Sequence, residues 1–116
     1  MLEDFKVNYA NIDIFDLDTY NNIPALSVLN DNSSLFVFID DYVINAAFEN
    51  EVTGDLFEAK LVDEEDIPDL YQELANFIFW ITHQNPSKLV KAELAKLLDA
   101  FEEAGIDPDP EYDPNY

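Results

Sequence analysis

The chain has 116 residues and a formal net charge of −21, which arises from 26 acidic residues against five basic ones, all of them lysines. Its hydrophobic fraction of 48% suffices for the core of a single domain, so the composition excludes a disordered acidic chain. The charge also excludes nucleic acids and anionic membranes as direct partners at ordinary salt, and it makes a basic protein the natural complement.

Other features of the sequence limit the cellular compartments and the kinds of chemistry that we expect for this protein. Cysteine is absent, which excludes disulfides and thiolate chemistry. Residues 1–10 contain no basic stretch followed by an apolar run, so we expect no secretory signal and a cytoplasmic location. The longest apolar run, residues 77–81, is far too short to span a bilayer, so we expect no membrane association.

Three strands are predicted in the first third of the chain. Residues 12–17 (IDIFDL) alternate imperfectly between apolar and polar side chains, and residues 25–30 (ALSVLN) follow a proline. Residues 35–39 (LFVFI) form a short, continuously apolar strand that we expect to be buried on both faces. The intervening NDNSS, residues 30–34, favours a turn, so the second and third strands are predicted to pair as a hairpin.

A helix and a fourth strand are predicted next. Residues 40–54 carry apolar side chains at helical spacing, with Asp40 or Asp41 as the cap and Gly54 near the end. The side chains with this spacing are Val43, Ile44, Ala47 and Phe48. Residues 55–62 alternate as a strand, whose inward-facing side chains are expected to be Phe57, Ala59 and Leu61.

The second half of the chain is predicted to form two helices. Asp63 is a good N-cap for the first helix, and Pro68 falls near its first turn, where a missing N–H does least harm. The buried stripe of this helix is Ile67, Leu70, Tyr71, Leu74, Phe77, Ile78 and Ile81. Residues 84–86 (QNP) end it, and Ser87 caps a second helix that stops at Gly105. The stripe of the second helix is Leu89, Val90, Leu94, Leu97, Leu98 and Phe101.

Together these elements predict an α+β fold. A small antiparallel sheet from the N-terminal half is expected to pack against an antiparallel pair of C-terminal helices, because the connection between the helices is short. Residues 1–106 are predicted to form a single acidic domain. Residues 107–116 (DPDPEYDPNY) contain three prolines among acids, so we expect an extended, poorly packed acidic tail.

The candidate functional residues are acidic and fall in three groups. They are Asp63, Glu64, Glu65, Asp66, Asp69 and Glu73 in the first helix, Asp99, Glu102 and Glu103 in the second, and Asp107 and Asp109 in the tail. Acids in the first turn stabilise a helix by about 0.3 to 1 kcal/mol each, so helix chemistry explains the start of the first group. The second helix is different, because Lys88 and Lys91 lie near its N-terminal end and its acids near its C-terminal end. Both placements oppose the helix dipole, which indicates that the location of the negative charge is itself useful.

The spacing of these acids suggests what the charge imitates. Carboxylates three or four residues apart on a helix lie about 5 to 6 Å apart, which is comparable to neighbouring phosphates of a nucleic-acid strand. Such pairs are Asp66 with Asp69, Asp69 with Glu73, and Asp99 with Glu102 or Glu103. Lysines and arginines of a DNA-binding protein would meet them with counterion release.

The sequence gives no support to catalytic or metal chemistry. His83 is the single histidine and is predicted to be structural, near a helix C-terminus. Two glycines cannot build a phosphate-cradling loop, and the serines lack a G-x-S-x-G context. A calcium loop beginning with residues 16–22 (DLDTYNN) would need a glycine at its sixth position and an acid at its twelfth, and the sequence has neither. We expect no enzymatic activity, no metal and no cofactor.

In length, acidity and lack of cysteine and arginine, the chain resembles the small bacterial and phage DNA-mimic proteins. Among them it is most similar to the monomeric mimic that binds the histone-like nucleoid protein HU. The resemblance implies a non-enzymatic monomer that occupies the DNA-binding surface of a basic, HU-like protein and associates with the nucleoid through it. Acidity and size suit an immunity protein or antitoxin that inhibits a basic nuclease or other toxin equally well, and this is the alternative. A further alternative is an acidic scaffold or assembly protein that does not imitate nucleic acid.

Overall fold

The structure is a computed structural model that describes residues 16–29 and 32–113. The strands are β1 (Asp16–Tyr20), β2 (Ile23–Leu29), β3 (Ser33–Asp40), β4 (Val43–Asn50) and β5 (Leu56–Asp63). A 3-10 helix (Glu64–Asp69) follows, and then the helices α1 (Leu70–Thr82) and α2 (Lys88–Glu103). Within these described ranges, neither α-helix is long and apolar enough to cross a membrane.

The strands form one antiparallel sheet in the order β1-β2-β3-β4-β5, so each strand pairs with its neighbours in sequence. The N-terminal half is therefore a meander and the C-terminal half a helix pair, which confirms the predicted α+β fold. The strands predicted at 25–30, 35–39 and 55–62 correspond to β2, β3 and β5. Of the strand predicted at 12–17, only the last two residues are described, and they begin β1.

Both helices pack on one face of the sheet and enclose the main core. The fully buried large side chains of this layer are Leu26, Leu35, Ile44, Phe48, Leu70, Leu74, Phe77, Ile78, Ile81, Leu94 and Phe101. A second, smaller cluster on the opposite face consists of Ala25, Phe36, Phe38 and Ala47, with Tyr20 and Ile23 beside it. β3 is thus buried on both faces, as its continuous apolar run predicts.

The prediction of a helix at residues 40–54 is wrong, because Val43–Asn50 forms the strand β4. This strand pairs with β3 on one side and β5 on the other, so its backbone groups are satisfied within the sheet. Ala46 and Ala47 point to opposite faces and are both fully buried. A strand buried on both faces does not need to alternate, and its apolar residues then imitate helical spacing.

The first helix begins later than its sequence predicts. Asp63 is not its N-cap but the last residue of β5, and the 3-10 helix that follows is interrupted at Asp66 (φ −102°, ψ 26°). Pro68 has no N–H to donate to a carbonyl of the preceding turn, which is consistent with regular α-helix starting only after it, at Leu70. Asp69 stands at the N-cap position but makes no side-chain capping bond.

The boundaries of α2 follow the prediction closely. The Ser87 hydroxyl accepts a hydrogen bond from the Val90 N–H at 3.3 Å, as expected of an N-cap. At the other end Gly105 adopts φ +81°, and its N–H donates to the Glu102 carbonyl at 2.9 Å. The Ile106 N–H donates to the Phe101 carbonyl at 3.0 Å, so a glycine-dependent turn ends the helix.

One charged side chain is buried between helix and sheet. The carboxylate of Glu93, in α2, accepts hydrogen bonds from the Asn32 N–H at 3.0 Å, from the Asn50 side-chain amide at 3.1 Å and from the Ser33 hydroxyl. Three donors compensate the loss of water around this carboxylate. The N-terminal half of α2 is thereby fixed over the ends of β3 and β4.

The C-terminal segment differs from the expectation of a poorly packed tail. Residues 106–113 form no helix or strand, yet Ile106 and Tyr112 pack against the main core. The Gln72 side-chain amide donates to the Asp107 carbonyl at 2.6 Å, and the Asp109 N–H donates to the Asn76 side-chain oxygen at 2.7 Å. This segment therefore lies along α1.

Candidate functional site

The antiparallel pairing of the helices places two predicted acidic groups at the same end of the molecule. The rings of Tyr71, at the start of α1, and Phe101, near the end of α2, pack with their centroids 6.0 Å apart. Asp99, Glu102 and Glu103 surround Phe101 in sequence and are exposed, so the C-terminal end of α2 adds its carboxylates beside the first turn of α1. The acids at the C-terminal end of α2, whose position opposes the helix dipole, therefore lie at this end of the molecule.

The C-terminal segment adds the third group. Hydrogen bonds between its backbone and the side chains of Gln72 and Asn76 hold Asp107 and Asp109 against α1. Burial raises the pKa of Glu73, and the negative charges of Asp69 and Asp109 raise it further. Carboxylates from three separate elements therefore act on one another at this place.

Four predicted residues line one open groove of about 720 Å³ between β5, the 3-10 helix and α1. They are Asp63, Asp66, Asp69 and Glu73. Lys60 and Gln72 also border this groove, together with apolar side chains of β4 and β5. Glu65 is exposed nearby, and Glu64 lies in the same 3-10 helix.

The spacing argument needs a correction for part of this group. Asp66 and Asp69 belong to the interrupted 3-10 helix and Glu73 to α1, so the three do not lie on one continuous α-helix. Asp66 and Asp69 nevertheless both line the groove. Asp99, Glu102 and Glu103 do share one regular α-helix, as predicted.

Two functional candidates were missed in the sequence, Asp40 and Asp41. Both are exposed, and they lie at the β3–β4 turn, where Val43 pairs with Asp63. Interpreting Asp40 and Asp41 as a helix cap hid them. Asp40 and Asp41 follow the apolar run of a buried strand, and a further apolar stretch follows them. This pattern would have indicated a hairpin turn. We define the acidic end as Asp40, Asp41 and the eleven predicted acids.

Among the residues that the structure describes, the opposite end of the molecule carries less negative charge. It contains Glu49 near the end of β4, the β4–β5 turn with Glu51 and Asp55, and the start of α2 with Lys88 and Lys91. The contacts of Glu93 with the ends of β3 and β4 place the start of α2 here. The charge of the described residues is therefore unevenly distributed along the long axis of the helices.

His83, the single histidine, contacts residues of α1. The Nδ1 atom of His83 lies 2.9 Å from the Thr82 hydroxyl and 3.1 Å from the Phe79 carbonyl, and its ring packs on Phe79. Within residues 16–29 and 32–113, no group of three or more histidine or acidic side chains is arranged to hold a metal ion.

The acidic end cannot be interpreted through relatives. No family model matches the sequence, and neither a curated protein nor a solved structure matches the chain. A functional interpretation therefore has to explain the positions of the carboxylates and the groove between them.

Proposed function

We propose that this protein is a DNA mimic whose acidic end occupies the DNA-binding surface of a basic DNA-binding protein and keeps DNA off that surface. The leading candidate for the partner is the histone-like nucleoid protein HU. The protein acts without catalysis, as a cytoplasmic monomer that reaches the nucleoid through this partner.

One observation carries the proposal: carboxylates from four separate segments gather at one end of the molecule. These segments are residues 40–41, 63–73, 99–103 and 107–109. A net charge of about 2 to 8 in magnitude is enough for the solubility of a small domain, so a charge of −21 exceeds that need. Concentrating it costs stability through repulsion. Burial is the main reason why the pKa of Glu73 is raised, and the negative charges of Asp69 and Asp109 raise it further. Binding a cationic surface would offset the cost.

The test is a calorimetric titration of purified HU with this protein, with and without duplex DNA. We expect DNA to compete for HU and the affinity to fall steeply with salt, because binding releases counterions. Binding that excess DNA leaves unchanged would contradict mimicry. DNA-insensitive binding to a basic nuclease would instead support an immunity protein.

Matched triple variants locate the binding surface. Asp63→Asn, Asp66→Asn and Asp69→Asn together remove three charges from the acidic end, and we expect affinity for HU to fall by at least about tenfold. The control combines Glu49→Gln, Glu51→Gln and Asp55→Asn, which changes net charge equally at the opposite end. Equal losses in the two variants would show that net charge, and not the acidic end, determines binding.

A further inference from the structure

The most exposed large apolar side chain among the described residues lies at the acidic end. Tyr42 is 78% exposed at the tip of the β3–β4 hairpin, directly after Asp40 and Asp41. Across the β4–β5 pair, its neighbour Val43 is opposite Asp63. An exposed aromatic ring therefore directly follows Asp40 and Asp41 in the turn and precedes the pair formed by Val43 and Asp63.

The backbone at this position is unfavourable for tyrosine. Asp41 and Tyr42 have φ values of 53° and 65°, so both central residues of the two-residue turn are left-handed. Such turns prefer asparagine, aspartate and glycine, whereas a bulky residue at positive φ is an outlier. Aspartate suits this requirement, and the tyrosine does not.

A second hairpin of the same protein shows the ordinary solution. The β1–β2 turn also has two residues at positive φ, Asn21 (49°) and Asn22 (67°), and asparagine tolerates this conformation. The two turns have equal length and the same signs of φ, so local folding does not require tyrosine at position 42. Strained, exposed residues of this kind cluster at functional sites.

The chemistry around the ring indicates what it binds. The face of a tyrosine ring attracts cations, and arginine stacks on it better than lysine because the guanidinium is planar and more weakly hydrated. Carboxylates on the same tip can pair with the same guanidinium group. Tyrosine is also frequent among residues that dominate binding at protein interfaces.

We infer that Tyr42 is an anchor of the acidic end, on which an arginine side chain of the basic partner stacks while Asp40 and Asp41 neutralise it. This inference rests on the proposed function and adds an arginine-specific contact to it. Carboxylates alone would attract lysine and arginine surfaces with little distinction, whereas the ring selects arginine.

The test measures folding and binding on the same variants. Tyr42→Asn should raise the urea midpoint of unfolding, because asparagine suits the turn, and should weaken binding to HU and to an oligo-arginine peptide by about tenfold. Tyr42→Phe keeps the ring and should retain wild-type affinity. Val52→Asn, a substitution of a 64%-exposed residue at the opposite end, is the control for loss of exposed apolar surface.

An oligo-lysine peptide of equal length separates stacking from charge. The wild type should prefer oligo-arginine, and Tyr42→Asn should lose most of that preference. If the wild type binds but Tyr42→Asn binds equally well with an unchanged preference, the inference is wrong and the proposed function stands. If the wild type binds neither HU nor oligo-arginine, both are wrong.

Discussion

At the residue scale, Tyr112 shows how negative charge of the acidic end affects a side chain packed beside it. The ring lies against the core, and the buried hydroxyl has no hydrogen-bond partner among the described residues. Burial, followed by the negative charges of Glu73 and Asp113, raises the pKa of Tyr112 to about 12. The phenol therefore contributes apolar contact, while its hydroxyl is a cost to the folded state.

This cost predicts the behaviour of Tyr112→Phe. The variant should be more stable than the wild type by about 1 kcal/mol near neutral pH, because it removes an unpaired buried hydroxyl. The folded-state pKa lies above the ordinary value of 10.0, so wild-type stability should fall as pH rises from 10 towards about 12. The advantage of the variant should grow over that window, measured by urea unfolding at several pH values.

Tyr20→Phe is the matched control, because the Tyr20 hydroxyl donates to the Glu58 carboxylate at 3.0 Å. Removing a hydroxyl that has a partner should not stabilise the protein near neutral pH. If both substitutions stabilise equally there, the gain comes from phenylalanine itself and not from relief of an unpaired group.

At the element scale, the sequence predicts helices and strands where one periodicity dominates. β3 and α2 were predicted within a few residues, because a turn signal bounds the short apolar run of β3 and a serine cap begins the helical stripe of α2. β4 was not, because its burial on both faces is a property of the assembled sheet. The late start of α1 likewise depends on Pro68 and on the pairing of Asp63, the last residue of β5, with Val43 of β4, a contact that local pattern does not reveal.

The charge placement on α2 yields a prediction about that helix. Its last turn contains no basic residue, so Glu102→Lys should stabilise the protein by about 0.3 to 1 kcal/mol through the helix dipole. The same substitution removes negative charge from the acidic end and should weaken binding to HU. Urea unfolding and calorimetric titration on one variant measure the two opposite effects.

Glu51→Lys provides the comparison, since it makes the same charge change at the exposed β4–β5 turn. It should relieve overall repulsion without a helix-end contribution and should leave binding closer to that of the wild type. If Glu102→Lys destabilises the protein, or strengthens the complex, the acids of α2 do not trade stability for binding.

At the scale of the whole molecule, the candidate site could be predicted as a list but not as a surface. The acidic groups are visible in the sequence, and three of them meet only because α1 and α2 are antiparallel and residues 106–113 return along α1. Asp40 and Asp41 join them through the β3–β4 turn, which depends on sheet pairing. Contacts between segments that are distant in the sequence bring these acids together, so the sequence alone does not reveal that they meet.

The concentrated charge predicts opposite responses of folding and binding to salt. The molecule measures 35 × 30 × 28 Å, while the screening length falls from about 30 Å at 0.01 M salt to about 8 Å at 0.15 M. At low salt, carboxylates across the whole molecule therefore repel one another, and added sodium chloride should raise the free energy of unfolding. The same salt should weaken the complex with HU, because it reduces the gain from counterion release.

Urea is the suitable denaturant for this measurement because it is uncharged and leaves ionic strength under control. The triple variant at Asp63, Asp66 and Asp69 should show shallower salt dependence than the wild type in both folding and binding, because fewer carboxylates are repelled and fewer counterions are released. Stability that is flat between 0.01 M and 0.15 M salt would mean that the crowded carboxylates impose no measurable cost. The charge would then need no partner to explain it.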